Sequence, residues 1–268
     1  MKDKGEGCFK GLVLVTGASG GLGAELARLF ARDGYSLVLV ARSADKMESL
    51  AAELRSDYDT RSTIIPKDLS NPKAPREIFE EVLADGLEVD VLVNNAGFGT
   101  NGPFAKSDLE TQLRMMQVNM TALTVLTRLF LDGMLERKRG RILNVASTAA
   151  FQPGPFMAVY YATKAYVLFF SEALTNELKE TGVTVTALCP GATATGFSKA
   201  AGMEKILLFR AGVMDAEMVA LVGYRGLMKG KTVVIPGLKN KLSVFLVRLG
   251  PRDLLTAVVR KLQKKNQD

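Results

Sequence analysis

A tyrosine and a lysine four residues apart, Tyr160 and Lys164, form the pair in this sequence best suited to proton transfer. On a helix this spacing places both side chains on one face. An ammonium group beside a phenol favours the phenolate, so we expect Lys164 to lower the pKa of Tyr160 below its ordinary value of ~10. Such a phenol is a general acid or base near neutral pH. With Ser147 to hold a substrate oxygen, this chemistry suits interconversion of a carbonyl and an alcohol, which also needs a hydride carrier.

The composition excludes several other kinds of site. The chain of 268 residues contains no histidine, which rules out Ser-His-Asp triads, Cys-His pairs and histidine-ligated metals. Its two cysteines, Cys8 and Cys189, make no disulfide framework, so we expect a reducing, cytoplasmic setting and no metal site. The N-terminus lacks the apolar segment of a signal peptide, and we expect no run near the ~20 apolar residues that span a bilayer.

The positive charge is concentrated at the C-terminal end. Residues 225–268 hold eleven Lys and Arg against two Asp and Glu, a net charge of +9, which leaves −2 for the rest of a chain whose total is +7. Two amphipathic helices are predicted here, at 238–249 and 252–264, separated by Gly250 and Pro251. They could lie on an anionic membrane surface, dock on the domain, or dock on a second subunit. Nucleic acid is disfavoured, because no binding motif or aromatic platform accompanies the charge.

Apolar runs without polar alternation alternate with helical patterns along the chain. Strands are predicted at 12–16, 36–41, 63–66, 89–94, 141–146, 183–188 and 232–235. Helices are predicted at 20–33, 43–56, 72–84, 107–118, 119–137, 157–180 and 215–228. This order is typical of an α/β Rossmann-like doubly wound parallel sheet of about seven strands, with helices on both faces. We expect one catalytic and NADP-binding domain at 1–236, followed by a basic helical tail at 237–268.

A glycine-rich turn joins the first predicted strand to the first helix, with Gly17, Gly21 and Gly23 in the sequence TGASGGLG. Glycines let the backbone approach a pyrophosphate at a helix N-terminus, and a turn without a ligand is the weaker alternative. Arg42 follows the second strand, where NAD binders carry an acidic residue, and its guanidinium suits the 2′-phosphate of NADP(H) or is simply a solvated surface group. Asp68, after the third strand, could bond the adenine amine or merely cap the next helix.

Several further motifs follow in order: NNAG at 94–97, Asn119, Ser147, Tyr160-x-x-x-Lys164, and Pro190-Gly191 followed by Thr195. Together with the glycine turn they resemble the short-chain dehydrogenase/reductase family over roughly residues 9–235, and within it a bacterial-type, broad-specificity subgroup. The resemblance implies an NADP-dependent oxidoreductase that acts on CH–OH groups.

The resemblance also implies roles for individual residues. Tyr160 would donate the proton in reduction and accept it in oxidation, and Lys164 would lower its pKa and bond the nicotinamide ribose. Ser147 would polarise the carbonyl oxygen, and Asn119 would support a water chain to the lysine. Tyr161 is also within helical reach of Lys164, but the family motif selects Tyr160 and leaves Tyr161 to pack elsewhere.

The implied cofactor-binding residues are spread over the glycine turn, the strand ends and the helix that carries Tyr160 and Lys164, called here the reactive helix. They are Gly17, Ser19, Gly21, Leu22, Gly23, Arg42, Asp68, Leu69, Asn95, Ala96, Gly97, Tyr160, Lys164, Pro190, Gly191, Thr193 and Thr195. Family members of this kind are expected to form homodimers or homotetramers.

Apolar side chains near the motifs favour a hydrophobic ketone, aldehyde or secondary alcohol as substrate, although each could belong to the core. They are Phe98, Phe151, Pro153, Phe156, Phe197, Met203, Leu207 and Leu208. A 3-oxoacyl-thioester reductase is the alternative enzyme, since a basic tail could attract an acidic carrier. A non-catalytic NADP-binding regulator is the alternative of another class, disfavoured because all four candidate catalytic residues are present.

Overall fold

Seven parallel strands form one sheet in the computed structural model, which describes residues 10–196 and 213–263. The strands lie in the order β3-β2-β1-β4-β5-β6-β7. They are β1 Leu12–Thr16, β2 Ser36–Ala41, β3 Ser62–Pro66, β4 Val89–Asn94, β5 Gly140–Val145, β6 Val183–Leu188 and β7 Val233–Val234. The sequence predictions for Cys8, Phe197, Met203, Leu207 and Leu208 lie outside the described residues.

Helices connect the strands and extend beyond the last one. In chain order they are α1 Gly21–Arg32, α2 Ala44–Tyr58, α3 Ala74–Ala84, α4 Leu109–Met116, α5 Leu123–Glu136, α6 Ala158–Glu177, α7 Ala216–Met228, α8 Leu238–Leu249 and α9 Arg252–Gln263. A π-helical turn, Gln117–Ala122, joins α4 to α5, and short 3-10 helices occupy Phe104–Lys106 and Thr148–Phe151.

The two faces of the sheet bury separate cores. Val13 and Val15 of β1 face a core built with α1, α2 and α7, whereas Leu12 and Leu14 face a core built with α3 and α5. This alternation follows from the two-residue period of a strand. It makes every residue of β1 apolar or buried, which is why the strands read as unbroken apolar runs. The predicted doubly wound fold with C-terminal helices is confirmed.

The element boundaries lie within a few residues of the predictions, and β1, β2, β4 and β6 match at both ends. The predicted break between two helices at 118 and 119 is instead the π turn, so one helical segment runs over Leu109–Glu136. Among the described residues, this segment alone is long and apolar enough to cross a membrane, contrary to the sequence expectation. Leu126 and Phe130 of α5 lie in the core, as expected for a helix packed on the sheet.

A buried hydrogen-bonded network joins β4 and β5 to the helices beneath the strand ends. The side-chain amide of Asn94 donates to Asn144 Oδ1 at 2.9 Å and to Thr127 Oγ1 at 3.0 Å. Asn144 in turn donates to Ser171 Oγ at 2.9 Å. Buried polar groups need such partners, so this network fixes β4, β5, α5 and α6 relative to one another.

Candidate active site

The glycine turn can form only because particular positions lack a side chain. Gly17 and Gly21 have φ angles of +69° and +54°, in the left-handed region that favours glycine. A Cβ on Gly17 would lie 2.8 Å from the Asn95 side chain and 3.0 Å from Ala96 Cα. A Cβ on Gly23 would lie 2.3 Å from the carbonyl oxygen of Gly17. The glycines therefore bring the ends of β1 and β4 into direct contact.

The outer face of the same turn fits a phosphate-bearing cofactor. A Cβ added to Gly20 would meet nothing within 4 Å, and α1 starts at Gly21 without a side-chain cap or an acidic residue in its first turn. The first backbone N–H groups of a helix point outward and attract anions. A cavity of about 340 Å³ adjoins the turn, lined by Ser19, Gly20 and Gly21 and by Lys46 of α2. Lys46 is a candidate ligand that the sequence analysis missed.

Thr16 is a second residue that the sequence analysis did not assign to the site. Its buried hydroxyl donates to Val93 O at 3.2 Å and accepts from the backbone N–H groups of Asn95 at 3.0 Å and Ala96 at 3.1 Å. The Asn95 side chain donates to Thr16 O at 2.9 Å. Thr16 therefore sets the course of the chain after β4. Its signal was its place as the first residue of the glycine motif.

The structure brings Ser147, Tyr160 and Lys164 together beyond the end of β5. Tyr160 and Lys164 share one face of α6, and Lys164 Nζ lies 5.8 Å from the centroid of the tyrosine ring. The Ser147 side chain hydrogen-bonds to Tyr160 and also accepts from Ala149 N at 3.1 Å, which caps the following 3-10 helix. A carbonyl oxygen that replaced the bond between Ser147 and Tyr160 would meet two hydroxyl donors.

The electrostatics of this group correct one expectation from the sequence. Burial raises the pKa of Tyr160 well above its ordinary value, and the hydrogen bond from Ser147 opposes that rise only in part. Burial also lowers the pKa of Lys164 from 10.5 to about 8. The Lys164 ammonium donates a hydrogen bond to Val145 O at 2.8 Å, and burial, not this charge, sets the direction of the Tyr160 pKa. The phenol is therefore protonated at neutral pH, and its raised pKa makes it a weaker acid than an exposed tyrosine.

Asn119 is buried in the π turn and holds the loop after β4 against α6. Its Oδ1 accepts from Phe98 N at 3.0 Å, and its Nδ2 donates to Phe98 O at 2.9 Å and to Thr163 Oγ1 at 3.1 Å. A Cβ on Gly97 would lie 3.0 Å from Asn119 Oδ1 and 3.4 Å from Lys164 Nζ. The loop therefore passes directly over the lysine. The water chain through Asn119 stays a prediction.

The two adjacent tyrosines have different surroundings. Tyr161 is buried, and its hydroxyl accepts from Gln263 Nε2 of α9 at 2.6 Å. The two rings meet edge to face with centroids 6.1 Å apart. A Cβ on Gly154 would lie 2.2 Å from the Tyr161 ring, which shows how closely the loop before α6 packs against this tyrosine. Tyr160 thus faces the serine and Tyr161 faces the tail, a contact for which the sequence offered no signal.

The loop after β6 closes the site between the serine and the glycine turn. Pro190 O accepts from Thr148 N at 2.9 Å and from Ser147 Oγ at 3.4 Å. Further along, Thr193 Oγ1 donates to the carbonyl oxygen of Gly191 at 3.0 Å. A Cβ on Gly21 would lie 3.1 Å from the Thr195 side chain, so this threonine covers the turn.

Arg42, Asp68 and Leu69 lie at the flank of the same sheet edge. Arg42 is exposed after β2, and within the described part of the chain no salt bridge engages it. Asp68 is exposed, and its Oδ1 accepts from Ser70 N at 2.9 Å, so it closes the turn after β3 and does not cap α3. Leu69 is buried beside it. Arg42 and Asp68 therefore remain available to an adenosine moiety.

These groups meet where the order of the strands reverses, between β1 and β4. That switch point is where doubly wound sheets bind nucleotides. The family described as short chain dehydrogenase matches residues 11–205 of the chain. The chain belongs to this family. The resemblance seen in the sequence is confirmed, and the Rossmann-like sheet is the fold expected of this family.

Comparison with individual proteins gives the same family. A very-long-chain 3-oxoacyl-CoA reductase from Anas platyrhynchos is 35% identical over 192 residues, which are 69% of this chain and 61% of the relative. A short-chain dehydrogenase from Sphingobium yanoikuyae in complex with NADPH is 32% identical, with a TM-score of 0.81 over 96% of this chain and 100% of that one. The bulky-bulky ketone specific alcohol dehydrogenase from Comamonas testosteroni is 32% identical, with a TM-score of 0.76 over 90% of this chain and 92% of that one. The chain thus spans about 61% of the length of the first relative.

Proposed function

We propose that this short-chain dehydrogenase is an NADPH-dependent reductase that interconverts a hydrophobic ketone or aldehyde and its alcohol. The observation that carries the proposal is the grouping of Ser147, Tyr160 and Lys164 beside Gly97, at the strand ends next to the glycine turn. It offers two hydroxyl groups for one carbonyl oxygen and a cofactor cradle next to them. Bound NADPH supplies the hydride.

The residues of the chain supply the proton and the orientation. The Tyr160 hydroxyl, held protonated by burial, donates its proton to the carbonyl oxygen, and Ser147 holds that oxygen by a hydrogen bond. Asn119 fixes the loop through two hydrogen bonds with Phe98, and the same loop passes over Lys164 at Gly97. Because hydride and proton must reach adjacent atoms, this orientation is a large part of the catalysis.

Arg42 and Lys46 are proposed to hold the 2′-phosphate of the cofactor. Both are exposed cations near the adenosine end of the expected site, and Lys46 lines the cavity beside the turn. The NADPH bound by the Sphingobium neighbour supports this preference. In Arg42→Ala and Lys46→Ala, kcat/KM for NADPH should fall about 10- to 100-fold with NADH use unchanged, because a charged hydrogen bond contributes ~1.5–3 kcal/mol. Lys73→Ala, on the surface of α3's start, is the control, and an unchanged NADPH preference in both site variants would refute the assignment.

A hydrophobic substrate is supported by the apolar side chains on the open side of the reactive helix. A cavity of about 260 Å³ lies between the loop after β4 and the start of α6, with Phe104, Phe156 and Met157 in its lining beside polar residues such as Lys106 and Asp108. The Comamonas neighbour is named for bulky-bulky ketones. A 3-oxoacyl thioester is the second candidate, favoured by the names of relatives such as the Anas reductase. Turnover of ketones, aldehydes and 3-oxoacyl-CoA esters, measured in parallel, separates the two.

The paired tyrosines provide the decisive test with a matched control. Tyr160→Phe should lower kcat by at least about 100-fold while NADPH still binds, as expected for loss of a general acid. Tyr161→Phe removes an identical hydroxyl from the neighbouring residue and should keep turnover on the same substrate. Equal activity of the two variants would refute the assignment of the acid. If the wild type bound NADPH but oxidised it with none of the carbonyl compounds tested, the result would instead favour a non-catalytic NADP-binding regulator.

We further propose a cytoplasmic homodimer or homotetramer. Apolar side chains on α4 and α6 are exposed in the single chain, with Phe169 65%, Leu113 46% and Met116 39% accessible. Such patches mark protein interfaces. Cys189 is a buried free thiol, which suits a reducing compartment. Light scattering should give the mass of two or four chains, and Phe169→Glu should lower it.

A further inference from the structure

Helix α8 presents an apolar ridge to solvent. Leu238, Leu242, Phe245 and Leu249 recur at steps of four, three and four residues, so they line one side of the helix. Their exposed fractions are 82%, 58%, 57% and 69%, and the neighbouring Leu246 is 53% exposed. Contiguous exposed apolar surface of this kind marks an interaction site.

The opposite side of α8 holds the ridge in place against the domain. Val244 is buried. It lies one helical turn after Asn240, whose side chain donates to Pro236 O at 2.8 Å. A Cβ on Gly191 would lie 2.6 Å from the Asn240 amide, so the helix packs against the loop after β6. The apolar ridge is therefore a second face of a docked helix, pointing away from the protein.

Cations flank the ridge. Lys239, Lys241 and Arg248 are exposed on α8, which contains no acidic residue. Helix α9 adds exposed Leu254 and Val258, at 61% and 49%. An apolar stripe bordered by Lys and Arg is the pattern of a helix that lies in the interface of a membrane.

We propose that α8, together with the exposed side of α9, docks this chain on anionic lipid surfaces. The apolar ridge would enter the boundary between headgroups and acyl chains, and Lys239, Lys241 and Arg248 would meet the lipid phosphates. A second copy of the chain fits less well, because ridge against ridge would place these cations opposite one another without an acidic partner on α8.

The docked tail also reaches residues next to the reactive helix. Gln263 of α9 bonds Tyr161 and accepts from the Asn101 side chain at 3.2 Å, and the Arg260 guanidinium lies 5.7 Å from the centroid of the Phe156 ring. Lipid docking would therefore set the loop around Phe156 near a membrane. This consequence for substrate supply rests on the proposed function, whereas the docking itself does not.

Vesicle cosedimentation of the full-length chain tests the docking without any measure of turnover. Vesicles of phosphatidylglycerol and phosphatidylcholine should bind it, vesicles of phosphatidylcholine alone should bind it far less, and rising salt should weaken binding. The double variant Leu242→Glu/Phe245→Glu should lose binding. Leu83→Glu changes an equally exposed leucine of α3, 54% accessible, and should bind like the wild type.

A variant that lacks the three cations tests how much their charge contributes to lipid docking. Lys239→Ala/Lys241→Ala/Arg248→Ala should bind anionic vesicles about 100-fold more weakly, because each cation near such a surface contributes roughly fivefold. Undiminished binding by this variant or by the double variant would overturn the proposal, as would equal binding to both kinds of vesicle. A particle mass that falls on Leu242→Glu/Phe245→Glu would show that the ridge joins copies of the chain, and would also overturn it. Turnover of a water-soluble carbonyl by these variants reports separately on the proposed function.

Discussion

Replacement of Lys164 by methionine should make the protein more stable at neutral pH, although the lysine belongs to the proposed active site. The side chain is buried, and burial lowers its pKa from 10.5 to about 8. Below pH 8 the folded chain therefore carries a charge away from water. Methionine has a similar length and no charge to bury.

The magnitude follows from the two pKa values. The drop from 10.5 to about 8 corresponds to about 3 kcal/mol, at 1.36 kcal/mol for each pKa unit. Loss of the hydrogen bond from Lys164 to Val145 O offsets about 1 kcal/mol of that gain. Lys164→Met should therefore unfold with a free energy about 2 kcal/mol higher than the wild type at pH 7.

The pH dependence has a definite sign. Between pH 8 and 10.5 the unfolded chain holds a proton on Lys164 that the folded chain has lost, so the stability of the wild type rises across this window. The advantage of Lys164→Met should shrink by about 3 kcal/mol over the same window and end slightly negative.

Urea unfolding of the cofactor-free protein, followed by circular dichroism at several pH values from 7 to 10.5, measures this difference. Groups that titrate in both proteins cancel when the two free energies of unfolding are subtracted. Lys73→Met, at an exposed lysine, is the control for the change of residue type. If Lys164→Met were less stable at pH 7, or its difference from the wild type were constant with pH, the burial argument would be refuted.

Three further outcomes are expected. Gly23→Ala should lower the free energy of unfolding by about 1–3 kcal/mol because its Cβ would meet a backbone oxygen at 2.3 Å, while Gly20→Ala, with open space, should melt like the wild type; equal melting temperatures would contradict this. In a Cys8→Ser background at pH 8, folded Cys189 should react with iodoacetamide about a thousandfold more slowly than a free thiol, because burial raises its pKa to about 12; rapid labelling would count against that pKa. Asn144→Leu should cost about 3 kcal/mol in urea unfolding, since it removes the two buried hydrogen bonds that join Asn144 to Asn94 and Ser171, and a neutral result would contradict a stabilising role for them.

The sequence predicted the sheet well because its strands are buried on both faces. In β1 both Val13 and Leu14 enter a core, so the strand stands out as an apolar run whose ends are also the ends of the pattern. The glycine turn was equally clear in the sequence, since neighbouring atoms lie so close to Gly17 and Gly23 that no Cβ would fit there. In the strands and in the glycine turn, the local sequence pattern and the packing of the fold require the same residues.

Other properties depended on contacts that no local pattern encodes. The raised pKa of Tyr160 follows from its burial, and the Lys164 ammonium bonds a backbone oxygen of β5. The spacing of four residues between Tyr160 and Lys164 could reveal neither the burial nor this hydrogen bond. Gln263 meets Tyr161 from the far end of the chain, and Lys46 reaches the turn from α2, and both required the three-dimensional packing.

The pairing of β1 with β4 has a consequence for how long each molecule survives. Val13 lies beside Val91 across a boundary between two halves of the sheet that the chain completes only after β2, α2, β3 and α3. Pairing between segments so far apart in the chain requires closure of a long loop, which slows folding. The proposed cofactor would span this boundary and bind only the folded chain, which adds RT ln(1 + [L]/Kd) to stability. A chain that has lost its nucleotide would therefore unfold more readily than one that holds it, and unfolded chains are the ones that proteases degrade.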